Sequence, residues 1–292
     1  MASVQAATPA MFDDIHPLLA GLNPGISRDQ WRRLVDYGWR SGEEGIGYVL
    51  LHRQRIVGFL GTLLSHRTIN GRVVRLCNTT NWVVEDEFRG ESFLLFLAVL
   101  KLRDCTITNL TSSPKVAAMM TPLGFKQLDT RVRLLFPAPA ALGRADPERP
   151  VIAADRETIV ATLDAADAKI FADHAGCECG HAVVRVPGGY CYLVFTRKHR
   201  SVYGRRVPYC HIHYISNRAV FRRHLGTIKR HFRATLGAWF LAVDERLIGN
   251  GSALFSPAYR LSAPRYYRSA ALAAEQIDNL YTELVVLGQP HA

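Results

Sequence analysis

The chain has 292 residues, 48% of them apolar, which is enough to fill two hydrophobic cores at the usual domain size. Its formal charge is +11, and six cysteines in this length exclude a disulfide-stapled scaffold, leaving buried thiols as the expectation. No run of about 18 apolar residues exists to span a membrane, and the first twenty residues lack a basic start and an apolar signal core, so a cytoplasmic protein is expected.

Val4 to Ala7 reads as a short strand, and Thr8-Pro9 opens a helix to Leu19 with a cap followed by proline at the first helical position. Ser27 and Gln30 form a capping-box pattern, and Trp31, Leu34, Val35 and Gly38 continue it at helical spacing to Trp39. Gly47 to Leu51 and Arg55 to Ser65 flank His52-Arg53-Gln54 as a hairpin, and Asn70-Gly71 turns into a longer strand, Arg72 to Val84. Glu91 to Leu102 is apolar on nearly every side, the pattern of a helix buried on more than one face. Thr106 to Leu110 is a further strand, Ser113-Pro114 begins a helix that ends at Gly124, and Lys126 to Phe136 reads as a closing strand.

Two stretches of this half point to chemistry. Trp82-Val-Val-Glu-Asp-Glu-Phe-Arg-Gly90 carries a strand into a helix, and an Arg-Gly turn there aims backbone N–H groups at an anion. Pro122-Leu-Gly-Phe125 ends the later helix. In this order the segment resembles the GNAT superfamily of acyl-CoA N-acyltransferases, in which a central strand leads through Q/R-x-x-G-x-G/A into a helix and a later helix ends in a Leu-Gly-Phe-like signature. The resemblance covers residues 1 to 136. It implies an α/β (α+β) fold, a mixed central sheet flanked by helices, and acetyl-CoA or a longer acyl-CoA as co-substrate. Trp82, Val83 and Val84 would hold the pantetheine arm, and Arg89, Gly90, Glu91, Ser92, Phe93 and Leu94 the diphosphate.

The pattern departs from the superfamily at three positions. Ser92 replaces the first glycine, Leu94 replaces the small residue two further on, and Met120 stands where the superfamily often has a tyrosine as general acid. Asn78 and Thr80 on the central strand can orient a reactant but cannot accept a proton at neutral pH, which leaves Glu85 as the base expected from position.

Pro137 to Pro150 is rich in proline and alanine and reads as a linker between domains 1–136 and 151–292. Beyond it, Pro150 to Asp155 and a helix to Ala172 echo the start of the chain, followed by strands at His181–Val186, Gly189–Arg197 and Arg206–Ile215 and a helix from Asn217 to Leu236. Gly71-Arg72-Val-Val-Arg-Leu-Cys77 lines up with Gly204-Arg-Arg-Val-Pro-Tyr-Cys210, which makes the second half a degenerate repeat without an Arg-Gly turn; a competing register pairs Tyr48–Ser65 with Trp239–Ser256. His211 and His213 share one strand face, and His213 is a further candidate for proton transfer. His174, Cys177, Cys179 and His181 are close in sequence, but Cys-x-Cys is tighter than structural zinc prefers, and no metal is expected.

No acidic residue lies between Glu178 and Asp244. In that interval Arg218, Arg222, Lys229 and Arg233 form a stripe opposite the apolar face Phe221, Leu225, Ile228, Phe232 and Leu236. The stripe suits an acidic acyl carrier protein or a phosphorylated or nucleotide-linked acceptor, and it lacks any recognised nucleic-acid-binding module. The expected activity is acyl transfer from acyl-CoA to a small-molecule amine. Its alternatives are an acyl-carrier-protein-dependent enzyme of the same fold or a non-catalytic protein that binds CoA or polyanions.

Overall fold

The computed structural model describes residues 2–40, 45–137, 148–249 and 256–288. Among these, no helix is long and apolar enough to cross a membrane.

Strand β1 (Ser3–Ala7) leads through a 3-10 turn at Pro9–Met11 into helix α1 (Phe12–Leu22), whose Phe12, Ile15 and Leu19 are buried at helical spacing. The Ser27–Gln30 capping box forms in both directions, yet helix α2 it opens spans only Arg28–Arg32. Beyond it Leu34 and Val35 donate to Trp31 and Arg32, three residues back, and this tighter winding ends the α-helix while still burying both side chains. Strands β2 (Gly47–His52), β3 (Arg55–Ile69) and β4 (Arg72–Val84) form a meander. Asn70 (φ +50°) and Gly71 (φ +75°) make the β3–β4 turn left-handed at both central positions, the geometry that matches strand twist. Helix α3 (Phe93–Leu100), strand β5 (Cys105–Asn109), helix α4 (Pro114–Met120) and strand β6 (Lys126–Gln127) follow.

The expected closing strand Lys126–Phe136 is divided. Asp129 Oδ1 accepts from the Arg131 amide at 2.9 Å, a local turn that breaks the strand, and strand β7 (Arg131–Leu135) begins after it. Strand β8 (Val151–Ala153) and helices α5 (Arg156–Thr162) and α6 (Ala165–Asp173) occupy the expected strand and single helix, the helix being divided where Asp164 caps α6 through the Asp167 amide. Strands β9 (Gly180–Val186), β10 (Gly189–Val202) and β11 (Arg205–Ile215) repeat the meander. Helices α7 (Arg218–Arg223) and α8 (Leu225–Leu236), strand β12 (Leu241–Asp244), helix α9 (Glu245–Ile248), strands β13 (Ala258–Arg260) and β14 (Tyr266–Arg268) and helix α10 (Glu283–Val286) complete the described chain.

Two compact units result. One comprises Met1–Gln127, Arg265–Ala273 and Tyr281–Gln289; the other is mainly Leu128–Pro264 with Ala274–Leu280. The linker expected at 137–150 lies largely outside the described residues. Among the described residues each unit holds a seven-stranded mixed sheet, in the orders β1-β2-β3-β4-β5-β14-β6 and β13-β7-β12-β11-β10-β9-β8. Reading the second order backwards aligns it with the first, so that β4 corresponds to β11 and β5 to β12, each pair parallel. The β10–β11 turn also has two left-handed residues, Tyr203 (φ +47°) and Gly204 (φ +75°), which supports the register of Gly71–Cys77 on Gly204–Cys210.

One strand of each sheet comes from the far side of the sequence. β7, which follows the first unit's β6, lies antiparallel to β12 in the second sheet, while β14, which follows β13, lies antiparallel to β5 in the first. The first unit's core packs Leu50, Leu60, Leu64 and Cys77 of its sheet against Leu95, Phe96 and Val99 of α3. In the second, Leu193, Phe195, Cys210 and Ile212 pack with Phe221, Ile228 and Phe232.

Candidate functional site

In the first unit β4 and β5 pair only from Arg75–Cys105 to Asn78–Thr108, although β4 runs on to Val84. The two strands part at Asn78, and among the described residues no strand pairs with the rest of β4 on its β5 side. Thr79, buried at the parting, donates from Oγ1 to the Thr108 carbonyl at 3.1 Å and accepts from Asn109 Nδ2 at 3.0 Å. Beyond it, Asn81 and Trp82 stand opposite Leu60 of β3 as a bulge, with Asn81 at φ +51°. The bulge inverts the alternation of side chains. Cys77 faces α3 before it and Trp82 and Val84 do so after it, with Trp82 stacked on Phe96 at 5.2 Å and 10°.

Asn78 and Thr80, both buried, fall on the other face. There Asn78 Oδ1 accepts from Thr108 Oγ1 at 3.1 Å, and Asn78 Nδ2 donates to the carboxylate of Glu283. The other carboxylate oxygen of Glu283 accepts from Thr111 Oγ1 at 2.7 Å. Glu283 is 1% exposed. Burial pushes its carboxyl above the ordinary range, while the hydrogen bonds from Thr111 and Asn78 and the charge of Arg265 act in the opposite direction. The same C-terminal segment places Tyr281 edge-on to Trp39, with the Arg67 guanidinium 5.5 Å from its ring centre.

No local sequence pattern singles out Glu283, Thr111 or Arg265. Asn78 and Glu283 are 205 positions apart, so no local pattern joins them. The one available signal is a lone acid leading directly into Leu284-Val-Val-Leu287, all buried. Glu85 lies at the end of β4, where its two oxygens are held by Arg55 at 2.5 and 2.8 Å.

The turn expected to hold a diphosphate is wound as a 3-10 helix, Asp86–Glu91. Ser92 follows in right-handed conformation, its amide donating to the Arg89 carbonyl at 3.2 Å, so this N–H is engaged within the chain. Arg89 pairs with Asp86 at 2.6 Å, Glu91 accepts from the Ala2 amide at 2.8 Å, and Leu94 is 38% exposed. Met120 is fully buried in the core behind the site.

His213 belongs to the second unit. It is buried, with Nε2 2.8 Å from Thr196 Oγ1 and its ring stacked on His211 at 4.8 Å and 13°. His211 Nε2 lies 3.6 Å from Asp244, which also accepts from Arg246 and from Asn279 Nδ2 at 2.8 Å. This network lies where β11 and β12 part, the position that Asn78 and Glu283 occupy in the first unit. The basic stripe is partly used within the unit: Lys229 is buried and its ammonium is pushed down by desolvation, and Arg218 donates to the Glu275 carbonyl. Arg233 stacks on Trp239 with its guanidinium 4.5 Å from the ring centre. Among the described residues no group of three or more potential metal ligands converges; Cys179 Sγ lies 3.6 Å from His181 Nε2, and His174 Nδ1 lies 2.8 Å from the Ile170 carbonyl.

No protein-family model matches the sequence, and no curated protein matches it. Solved structures do. A GCN5-related N-acetyltransferase from Kribbella flavida superposes with a TM-score of 0.59 at 13% identity, covering 94% of this chain and 72% of the other. A conserved protein of unknown function from Enterococcus faecalis gives 0.59 at 11% identity, covering 94% and 74%. A GCN5-related N-acetyltransferase from Anabaena variabilis gives 0.56 at 14% identity, covering 92% and 72%. The chain thus has the fold of the GCN5-related N-acetyltransferases, and the likeness runs through both units.

Proposed function

We propose that the first unit is an acyltransferase that moves an acyl group from an acyl-CoA thioester to an amine. The observation that carries this reading is the unpaired edge of β4 from the bulge to Val84, beside the parting from β5. An extended pantetheine arm fits such an edge as an added strand, and the backbone N–H groups of Trp82 and Val84, which alternate with those that Val83 and Glu85 direct at β3, are the candidates to hold it and to polarise the thioester carbonyl. Asn78 and Thr80 line the face of the parting where an acceptor amine would be oriented, and the rate would come chiefly from that positioning. The end of the 3-10 turn and the first residues of α3, Arg89 to Leu94, follow this strand, and the α3 N-terminus would meet the diphosphate.

The 3-10 winding before α3 and the exposed Leu94 favour a second reading for the donor. An acyl carrier protein offers the same phosphopantetheine arm without the CoA nucleotide, and so needs less of that turn. The acceptor is an amine in either case.

Thermal melts with acetyl-CoA, a longer acyl-CoA and free CoA test the reading. A ligand that binds only the folded state raises the melting temperature, by about 2.7 kcal/mol of stabilisation at a hundredfold excess over Kd. The expected result is a CoA-dependent rise. A shift with an acylated carrier protein and none with any CoA species favours the second reading, and no shift with either sinks both.

A further inference from the structure

Acyl transfer to an amine needs a group that takes a proton from nitrogen. Asn78 and Thr80 do not serve as bases near neutrality, and Glu85 is held in a two-point ion pair with Arg55. We propose that Glu283, carried into the first unit by the C-terminal segment, is the proton acceptor of that unit's acyl transfer; the assignment rests on the acyltransferase reading above.

Three observations converge on it. Glu283 is bonded to Asn78, the last residue of β4 paired with β5, so its carboxylate stands at the vertex from which the unpaired edge departs. Its two oxygens are fixed by donors from different elements, Asn78 on β4 and Thr111 after β5. Each oxygen keeps a second lone pair, so the carboxylate is oriented without being saturated. Finally, its position opens a helix whose other residues, Leu284, Val285 and Val286, anchor it through apolar burial. A carboxylate there works against the packing, because a buried charge is costly unless it is compensated, and such groups gather at functional sites. Arg265 is the charged group facing it, and desolvation raises the carboxyl toward the range where a general base is effective.

A primary ammonium gives one proton to the Glu283 carboxylate and becomes the free amine. Its nitrogen then forms the N–C bond to the thioester carbonyl carbon, the C–S bond breaks, and the thiolate leaves with the bonding pair. The second nitrogen proton goes to the sulfur, Glu283 returns its proton to solvent, and the products are the amide and the free thiol.

The test is Glu283→Gln, which preserves shape, with acetyl-CoA as donor and benzylamine, putrescine, glucosamine and lysine as acceptors, from pH 5 to 9. The expected result is a fall in kcat at pH 7 of about 10²- to 10⁴-fold, the usual worth of a general base, with KM for acetyl-CoA little changed. The variant's rate should climb steadily with pH as free amine accumulates, and Glu283→Asp should recover part of the rate. Infrared difference titration of wild type minus Glu283→Gln should show a carboxyl that titrates above the ordinary glutamate range. A Glu283→Gln enzyme that melts like wild type, binds acetyl-CoA and keeps the wild-type rate and pH profile overturns the assignment while leaving the acyltransferase reading intact. A wild-type protein that neither binds acetyl-CoA nor transfers acyl groups overturns that reading and the assignment with it. If Glu283→Gln does not fold, Glu283→Asp decides: a displaced pH profile supports the role, and a superimposable one overturns it.

Discussion

Burial moves an acid and a base in opposite directions, and both cases occur in this protein. Glu283 is raised by loss of water, whereas His181 is lowered to about 4 by burial and by the nearby His174, with Tyr192 Oη 2.7 Å from its Nδ1. The folded state therefore resists a proton that the unfolded chain takes up near pH 6.5. Between those values the unfolded state binds more protons, so stability falls as pH drops from about 6.5 through about 4, and the loss is complete below that. The decline should be no more than about 3.4 kcal/mol, because each pH unit of that interval is worth about 1.36 kcal/mol. Urea midpoints at pH 7, 5 and 4 check it, and His181→Gln should flatten the slope. Asn78, Thr80 and Trp82 lie on the strand read from the sequence, but the bulge at Asn81 turns Trp82 to the face opposite Asn78 and Thr80, which strict alternation does not give. What Glu283 touches was not readable, because its partners lie at positions that only the folded chain brings together.

Among the elements, the two meander turns make a controlled comparison. Asn70-Gly71 and Tyr203-Gly204 hold the same pair of left-handed conformations, but asparagine tolerates that region and tyrosine does not. Tyr203 is wholly exposed, so no packing compensates. Tyr203→Asn is expected to stabilise the second unit by about 0.5–1 kcal/mol, on the scale of 1–2 kcal/mol for a left-handed L-residue. In calorimetry this is a rise of roughly 2–4 °C per kcal/mol, and a fall would show that Tyr203 is held by contacts of its own. Caps were legible because they depend on nearest neighbours, and Arg72–Val84, the Ser27 box and the Ser113 cap form as spacing dictated; element ends were less so, since β3 runs on to Ile69, β10 runs on to Val202 and α2 stops at Arg32. The Asp86–Glu91 3-10 helix was not, since an Arg-Gly turn before a helix is equally compatible with an open anion cradle.

At the scale of the whole molecule, the exchanged strands decide how the chain can be cut. A fragment of residues 1–136 lacks β14 and the Glu283 segment, and a fragment of 151–292 lacks β7. Each would leave an unpaired inner strand, β5 or β12, exposed to aggregation. Expressed separately, both fragments should be insoluble or molten, and co-expressed they should recover a folded complex. A protease site inserted between residues 138 and 147 should give two pieces that co-elute and melt like the intact protein. Separation of the pieces into two folded monomers would refute the exchange.

The sequence by itself determined the order of most strands and helices as far as Leu236, the two halves, and the likeness to acyl-CoA N-acyltransferases, because periodicity, capping and turn chemistry act within a few residues. Tertiary structure alone decided which sheet each closing strand joins, where the parallel strands part, and which acid stands at that point. Those outcomes depend on pairings between residues far apart in the chain, which no local pattern encodes: β7 reaches β12, β14 reaches β5, and Glu283 reaches Asn78.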